Sequence, residues 1–104
     1  MRIWLDDIRM PPDDDSDWYI VRDANPAMGL VMSGKVTHIS FDHDLGEDSL
    51  SGYAVACCIE AAAYYDKIPR MTWEIHSANP VGRNKIKLAM ERADRYWTGG
   101  WSLL

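Results

Sequence analysis

The stretch Val36-Thr37-His38-Ile39-Ser40-Phe41-Asp42-His43-Asp44-Leu45-Gly46 decides the fold. Its first half is an apolar run that reads as a buried strand. Its second half puts two carboxylates and an imidazole where the strand gives way to a loop, and Gly46 can open a turn. The same order occurs twice more: Ile3-Trp4-Leu5 runs into Asp6-Asp7-Ile8-Arg9, and Met71-Thr72-Trp73-Glu74-Ile75 runs into His76-Ser77-Ala78-Asn79. In an open parallel sheet, ligands bind beyond the carboxyl ends of the strands. If these strands lie parallel and adjacent, their ends form one pocket.

Outward from that stretch, the chain reads as strands and helices in turn. Residues 2–5 form the first strand, and Pro11-Pro12 then forbids helix. A loop leads to Trp18 and a brief strand over residues 19–21, closing on Arg22-Asp23. Asn25-Pro26 predicts a helix start, with the helix over residues 26–33 and its stop at Gly34. The strand over 36–41 follows, and Asp48, Ser49 or Ser51 caps a helix over 52–65 in which only Glu60 is charged. A helix apolar on nearly every side either sits deep against the sheet or carries a homodimer contact. Pro69 separates it from the strand over 71–75. Asn79-Pro80 repeats the capping pattern, and the last helix runs to Trp97 with Ile86, Ala89, Met90, Ala93 and Trp97 in one stripe. Gly99-Gly100 break the chain, and residues 101–104 add a short edge strand or pack down.

The order β, β, α, β, α, β, α, without hairpin turns between most strands, predicts an α/β fold with a mostly parallel sheet and helices on its faces. The expected architecture is a short flavodoxin-like three-layer sandwich with strand order 2-1-3-4. Residues 9–18 lack a helix and must cross over as a loop.

Composition narrows the function classes. With 104 residues and 47% apolar content, residues 1–104 are expected to be one packed domain. The net charge of −5, partly concentrated in Asp13-Asp14-Asp15 and Asp17, disfavours duplex nucleic acid, whereas a small phosphorylated ligand needs only a few local cations. Cys57 and Cys58 are adjacent in a helical pattern and point apart, so they suit neither a disulfide nor a metal clip; buried thiols of a reducing cytoplasm are expected. No window reaches the ~18 uncharged apolar residues of a membrane span. Asp6 comes too early for a signal peptide, and a soluble cytoplasmic protein is expected.

Asp6 and Asp7 after the first strand, with Asp42 and Asp44 after the third, place carboxylates around one cleft. Such a cluster holds a hard cation such as Mg²⁺ or shares protons; alternatively, Asp7 and Asp44 cap turns or pair with Arg9. His43 and His76 end neighbouring strands, where they could face each other as general base and general acid for a phosphoester. His38, mid-strand, reads as a core histidine bonded to a carbonyl. Asn79-Pro80-Val81-Gly82-Arg83 opens a helix whose free N–H groups make an anion site. There Gly82 admits a ligand to the backbone, Arg83 adds charge and Ser77 can donate.

Leu5-Asp6-Asp7-Ile8-Arg9, Arg22, Ser40-Phe41-Asp42-His43-Asp44-Leu45, Gly52-Tyr53 and His76-Ser77-Ala78-Asn79-Pro80-Val81-Gly82 together resemble the cyclic-phosphate processing receiver-like domain. This is a divergent branch of the response-regulator receiver fold, and the resemblance covers nearly the whole chain. By resemblance, Asp6 and Asp7 are the acidic pair of a receiver, Asp42 its phosphoacceptor position and Ser77 its hydroxyl. The chain departs from ordinary receivers in lacking a lysine at a fifth strand and a first helix, and in adding His43 and His76. The resemblance implies a phosphodiesterase acting on a cyclic phosphate of a nucleotide or of a cyclic di- or oligonucleotide. In that scheme Asp6, Asp7 and Asp42 hold a divalent cation, Mg²⁺ or Mn²⁺, or orient water. Asp42, His43, Asp44 and His76 form the catalytic group, and Arg9, Arg22, Ser77, Asn79, Gly82 and Arg83 bind the ligand. The alternatives are a module that sequesters the same ligand, as a phage or bacterial counter-signal would, and a receiver that accepts phosphate on Asp42.

Overall fold

The computed structural model describes residues 1–46 and 49–99. Four strands, β1 (Arg2–Leu5), β2 (Trp18–Val21), β3 (His38–Phe41) and β4 (Thr72–Ile75), form one sheet in the order β2-β1-β3-β4, with every pairing parallel. Leu5 stands opposite both Val21 and Phe41, and Phe41 stands opposite Ile75. The next residues, Asp6, Arg22, Asp42 and His76, therefore leave the sheet at one edge. Three of them stay in register through backbone bonds: the N–H groups of Asp6, Asp42 and His76 donate to Val21, Leu5 and Phe41.

Side chains alternate across a strand. On one face Ile3, Leu5, Val21, Ile39 and Phe41 share a core with residues of α1 (Ala24–Met32), α2 (Gly52–Tyr64) and α3 (Pro80–Trp97), among them Val31, Val55, Ile59, Ile86 and Met90. Packing of α2 against both α1 and α3 accounts for its nearly unbroken apolar sequence. Cys57 and Cys58 are free and half-buried rather than buried.

The other face carries Arg2, Trp4, Trp18, His38, Ser40 and Glu74. The Trp4 and Trp18 rings meet edge-on at 5.6 Å, and the Arg2 guanidinium lies 4.6 Å above the Trp18 ring. Among the described residues no helix lies there. The β1–β2 loop takes that place, with the Trp4 indole donating to the Arg9 carbonyl at 3.0 Å. The third layer of the sandwich is thus thinned to a loop, as Pro11-Pro12 requires.

One helix start differs from the sequence expectation. The first helix begins at Ala24 with Asp23 at the cap position, so Pro26 is its third residue. Proline is tolerated there because the first four N–H groups of a helix have no partner inside it. Ser51, one of three candidates, occupies the cap of α2 without a side-chain cap bond. Asp48 and residues 101–104 lie outside the described residues. Gly34 ends α1 at φ 77°, and Asn79 caps α3 by accepting from the Gly82 N–H, both as expected. No described helix is long and apolar enough to cross a membrane.

Two glycines should respond oppositely to alanine. A Cβ on Gly52 would lie 1.9 Å from the Asp42 carbonyl oxygen, so Gly52→Ala must push α2 off the loop after β3 and should cost on the order of 2 kcal/mol. Gly29, in the exposed middle of α1, has nothing within 4 Å, and Gly29→Ala should gain about 0.5–1 kcal/mol. Urea midpoints of the two variants check both signs.

Candidate functional site

Asp6 is the first residue beyond β1 and is only 1% exposed. Its Oδ1 accepts from the backbone N–H groups of Ile8 at 2.9 Å and Arg9 at 2.8 Å, the reach-forward geometry that a short acidic side chain favours in a turn. Its Oδ2 accepts from Arg9 Nε at 3.2 Å and lies 3.0 Å from His76 Nε2. Burial pushes the Asp6 carboxyl up, but the two backbone donors, His76 and the Arg9 guanidinium outweigh it and hold the group below its ordinary value.

Asp42 ends β3 in the same way and is 6% exposed, with Oδ1 accepting from the His43 N–H at 2.8 Å and lying 3.7 Å from Arg9 Nη2. His76 stacks flat on Trp4, with ring centroids 3.8 Å apart and planes 7° apart, and its Nδ1 lies 2.8 Å from Ser40 Oγ. One donor atom each from Asp6, Asp42 and His76 all lie within 4.8 Å of one another. This group could hold a metal ion. Two buried carboxylates with only one guanidinium beside them keep a net negative charge, and together with an imidazole nitrogen they offer a divalent cation three ligand atoms. The third candidate ligand is therefore His76, whereas the sequence reading placed Asp7.

An open cleft of about 630 Å³ lies over this group, lined by Asp6, Asp7, Ile8, Arg9, Asp42, Asp44, Gly46, Ser77, Ala78 and Asn79. The expected carboxylates and the Ser77–Asn79 wall are thus brought together. Other expected residues point elsewhere. Arg22 donates to the carbonyls of Asp6 and Arg9, and Arg83 to those of Ile75 and Ser77, so both strap loops down. Arg9, about half exposed, is the guanidinium that lines the cleft.

The two imidazoles keep separate partners, and neither lines the cleft. His43 Nδ1 lies 2.9 Å from Asp44 Oδ1, and its ring fills the space beside Gly82, where a Cβ would meet it at 2.2 Å. Gly82 therefore makes room for His43, not for a ligand, and its N–H is taken by Asn79. Asp44 also accepts from Asn79 Nδ2, and the bonds from His43 and Asn79 hold its carboxyl below the ordinary value. His38 bonds to the Thr72 hydroxyl and the Glu74 carboxylate rather than to a carbonyl.

Sequence reasoning passed over Trp4, Ser40 and Glu74. Their signal was the period of two: Ser40 and Glu74 stand two residues before Asp42 and His76, and Trp4 two before Asp6, on the face that leads to the site.

The model of one family, the cyclic-phosphate processing receiver domain, matches residues 1–92. No curated protein and no solved structure matches the chain.

The depressed Asp6 carboxyl sets a pH dependence. A group whose folded value lies below its unfolded one stabilises above the unfolded value and loses that contribution as pH falls through the folded one. Stability should therefore drop as pH falls below the ordinary 3.8, and Asp6→Asn should lose part of that slope. Urea midpoints of both proteins between neutral and acid pH measure it; parallel curves would take Asp6 out of the acid transition.

Proposed function

The chain belongs to the cyclic-phosphate processing receiver domain family, and from that membership and the acidic cleft we propose that it is a phosphodiesterase opening the cyclic phosphate of a small nucleotide or of a cyclic di- or oligonucleotide. The observation that carries this reading is that Asp6 and Asp42, grouped with His76, line one cleft together with Arg9. The volume, about 630 Å³, falls in the ordinary range for small-molecule sites.

Arg9 neutralises a phosphoryl oxygen from the cleft wall, and the Ser77–Asn79 turn bounds the ligand on the β4 side. Asp42 orients the attacking water. Water adds to phosphorus, one ring P–O bond breaks and the freed ester oxygen takes the proton, leaving an open-chain phosphate ester. A divalent cation, Mg²⁺ or Mn²⁺ in the simplest case, would supply charge neutralisation at phosphorus and a more acidic water. The scheme with His43 and His76 as base and acid is not retained, since neither ring lines the cleft.

A second reading is a module that sequesters the same ligand. It is favoured by the engagement of both His76 ring nitrogens and by the anchoring of Arg22 and Arg83 on backbone carbonyls. Incubation with cyclic mono- and dinucleotides and 2′,3′-cyclic phosphates, followed by denaturation and chromatography, separates the two: intact recovered ligand means sequestration.

Asp42→Asn should lower turnover by ~10²-fold or more, because it removes charge aimed at the reacting centre. Arg9→Ala should raise KM more than it lowers kcat. Chelation with EDTA should abolish turnover, and Mg²⁺ or Mn²⁺ should restore it. Wild-type turnover by the Asp42 variant would remove that residue from the chemistry.

A further inference from the structure

The hydrogen bonds behind the site specify which nitrogen of His76 carries a proton. Glu74 is a half-exposed carboxylate and can only accept. It accepts hydrogen bonds from the Ser40 hydroxyl on Oε1 and from His38 Nε2 on Oε2, each at 3.1 Å between heavy atoms. Ser40 has one O–H, and it is directed at Glu74. Towards His76 Nδ1, 2.8 Å away, its oxygen can only accept, so Nδ1 carries a hydrogen. If Ser40 instead donated to Nδ1, its oxygen would face the Glu74 carboxylate as one acceptor against another.

The other nitrogen then has a defined state. Nε2 faces Asp6 Oδ2, an acceptor, at 3.0 Å. Two lone pairs at that distance need a cation to join them. A proton on Nε2 does this, with the charged ring flat on the Trp4 face, an arrangement that suits a cation. A metal ion does it as well: two adjacent ligands of an octahedral ion at ~2.1 Å stand about 3 Å apart.

We propose that Ser40 and Glu74 are positioning residues that hold His76 in the Nδ1–H form, so that Nε2 is a nitrogen ligand for a divalent metal ion shared with Asp6 and Asp42. The site is then built on one nitrogen and two carboxylates rather than on oxygen alone, which favours first-row transition ions such as Mn²⁺ and Zn²⁺ over Mg²⁺. Its outer support runs His38, Glu74, Ser40, His76 across β3 and β4, the kind of second layer that fixes tautomer and ring orientation at metal-bound histidines. The proposal rests on the cleft being the working site, but its test reads metal and ring nitrogens, not turnover, so it stands or falls apart from hydrolysis.

The probe is Zn²⁺, which is diamagnetic. In ¹⁵N-labelled wild-type protein, Zn²⁺ should shift His76 Nε2 to the metal-bound range and leave Nδ1 protonated. Calorimetry should show Ser40→Ala binding Zn²⁺ 10- to 100-fold more weakly, with Ser40→Thr restoring most of the loss. Glu74→Gln lies on an exposed side chain and should leave the fold intact. Its amide can donate to Ser40, freeing the hydroxyl to donate to Nδ1; the ring should move to the Nε2–H form and affinity should fall about tenfold. A general packing role for Ser40 would lower thermal stability without changing the tautomer. Zn²⁺ leaving the His76 Nε2 resonance unmoved would overturn the proposal, as would wild-type affinity and tautomer in both Ser40→Ala and Glu74→Gln.

Discussion

The carboxylate of Asp6 is the interaction on which the site depends. It is buried at the end of the central strand β1, where an uncompensated charge would cost several kcal/mol. Three donors compensate it, two backbone N–H groups from the loop that follows and the Arg9 guanidinium, and from β4 the His76 Nε2 comes within 3.0 Å of its Oδ2. Each of these partners is placed by the need to satisfy it. The loop after β1 curls back to bring Ile8 and Arg9 in, Arg22 straps the same loop through the Asp6 and Arg9 carbonyls, and His76 is drawn over Trp4. A buried anion thus organises the β1–β2 loop, which has no helix to give it shape.

That organisation explains which parts could be read from sequence. Strand ends and the residues after them are local signals, and parallel register then carries Asp6, Asp42 and His76 to one edge without further information. The parallel sheet and the missing first helix are legible for the same reason, since apolar runs, Pro11-Pro12 and the absence of hairpin turns are written within short windows, whereas the order 2-1-3-4 rests on the flavodoxin-like pattern. Capping was less so. Asn25-Pro26 and Asn79-Pro80 are the same dipeptide, yet only Asn79 caps a helix. In α1 the start is moved upstream by the core, since Ala24 and Ala27 are buried against the sheet and packing overrides a local preference.

What stayed hidden depends on pairs far apart in sequence. Ser40 and His76 are 36 residues apart, as are His38 and Glu74, and both contacts need the β3–β4 register before they can be seen. The partners of Arg22, Arg83 and Gly82 are not legible in the sequence because an arginine or a glycine near a strand end has two uses. It can meet a ligand, or it can satisfy the carbonyls and side chains of loops that would otherwise lack partners. Here the second use prevails: Arg83 holds Ile75 and Ser77, and Gly82 gives way to His43.

The thinned third layer follows from the same economy. Among the described residues the apolar side chains form one core, and α1, α2 and α3 place it on a single face of the sheet. The opposite face must then be stabilised without a covering helix, and aromatic rings with hydrogen-bonded polar side chains do this under a loop. Trp4 and Trp18 shield the centre, while His38, Glu74, Ser40 and His76 bond across strands. A helix packed on that face would require apolar partners at Ser40 and Glu74 and would break the chain of bonds that ends on Asp6. Loss of the helix and gain of the network are therefore linked, and the network reaches the acidic cleft because its last members sit where β1 and β4 end.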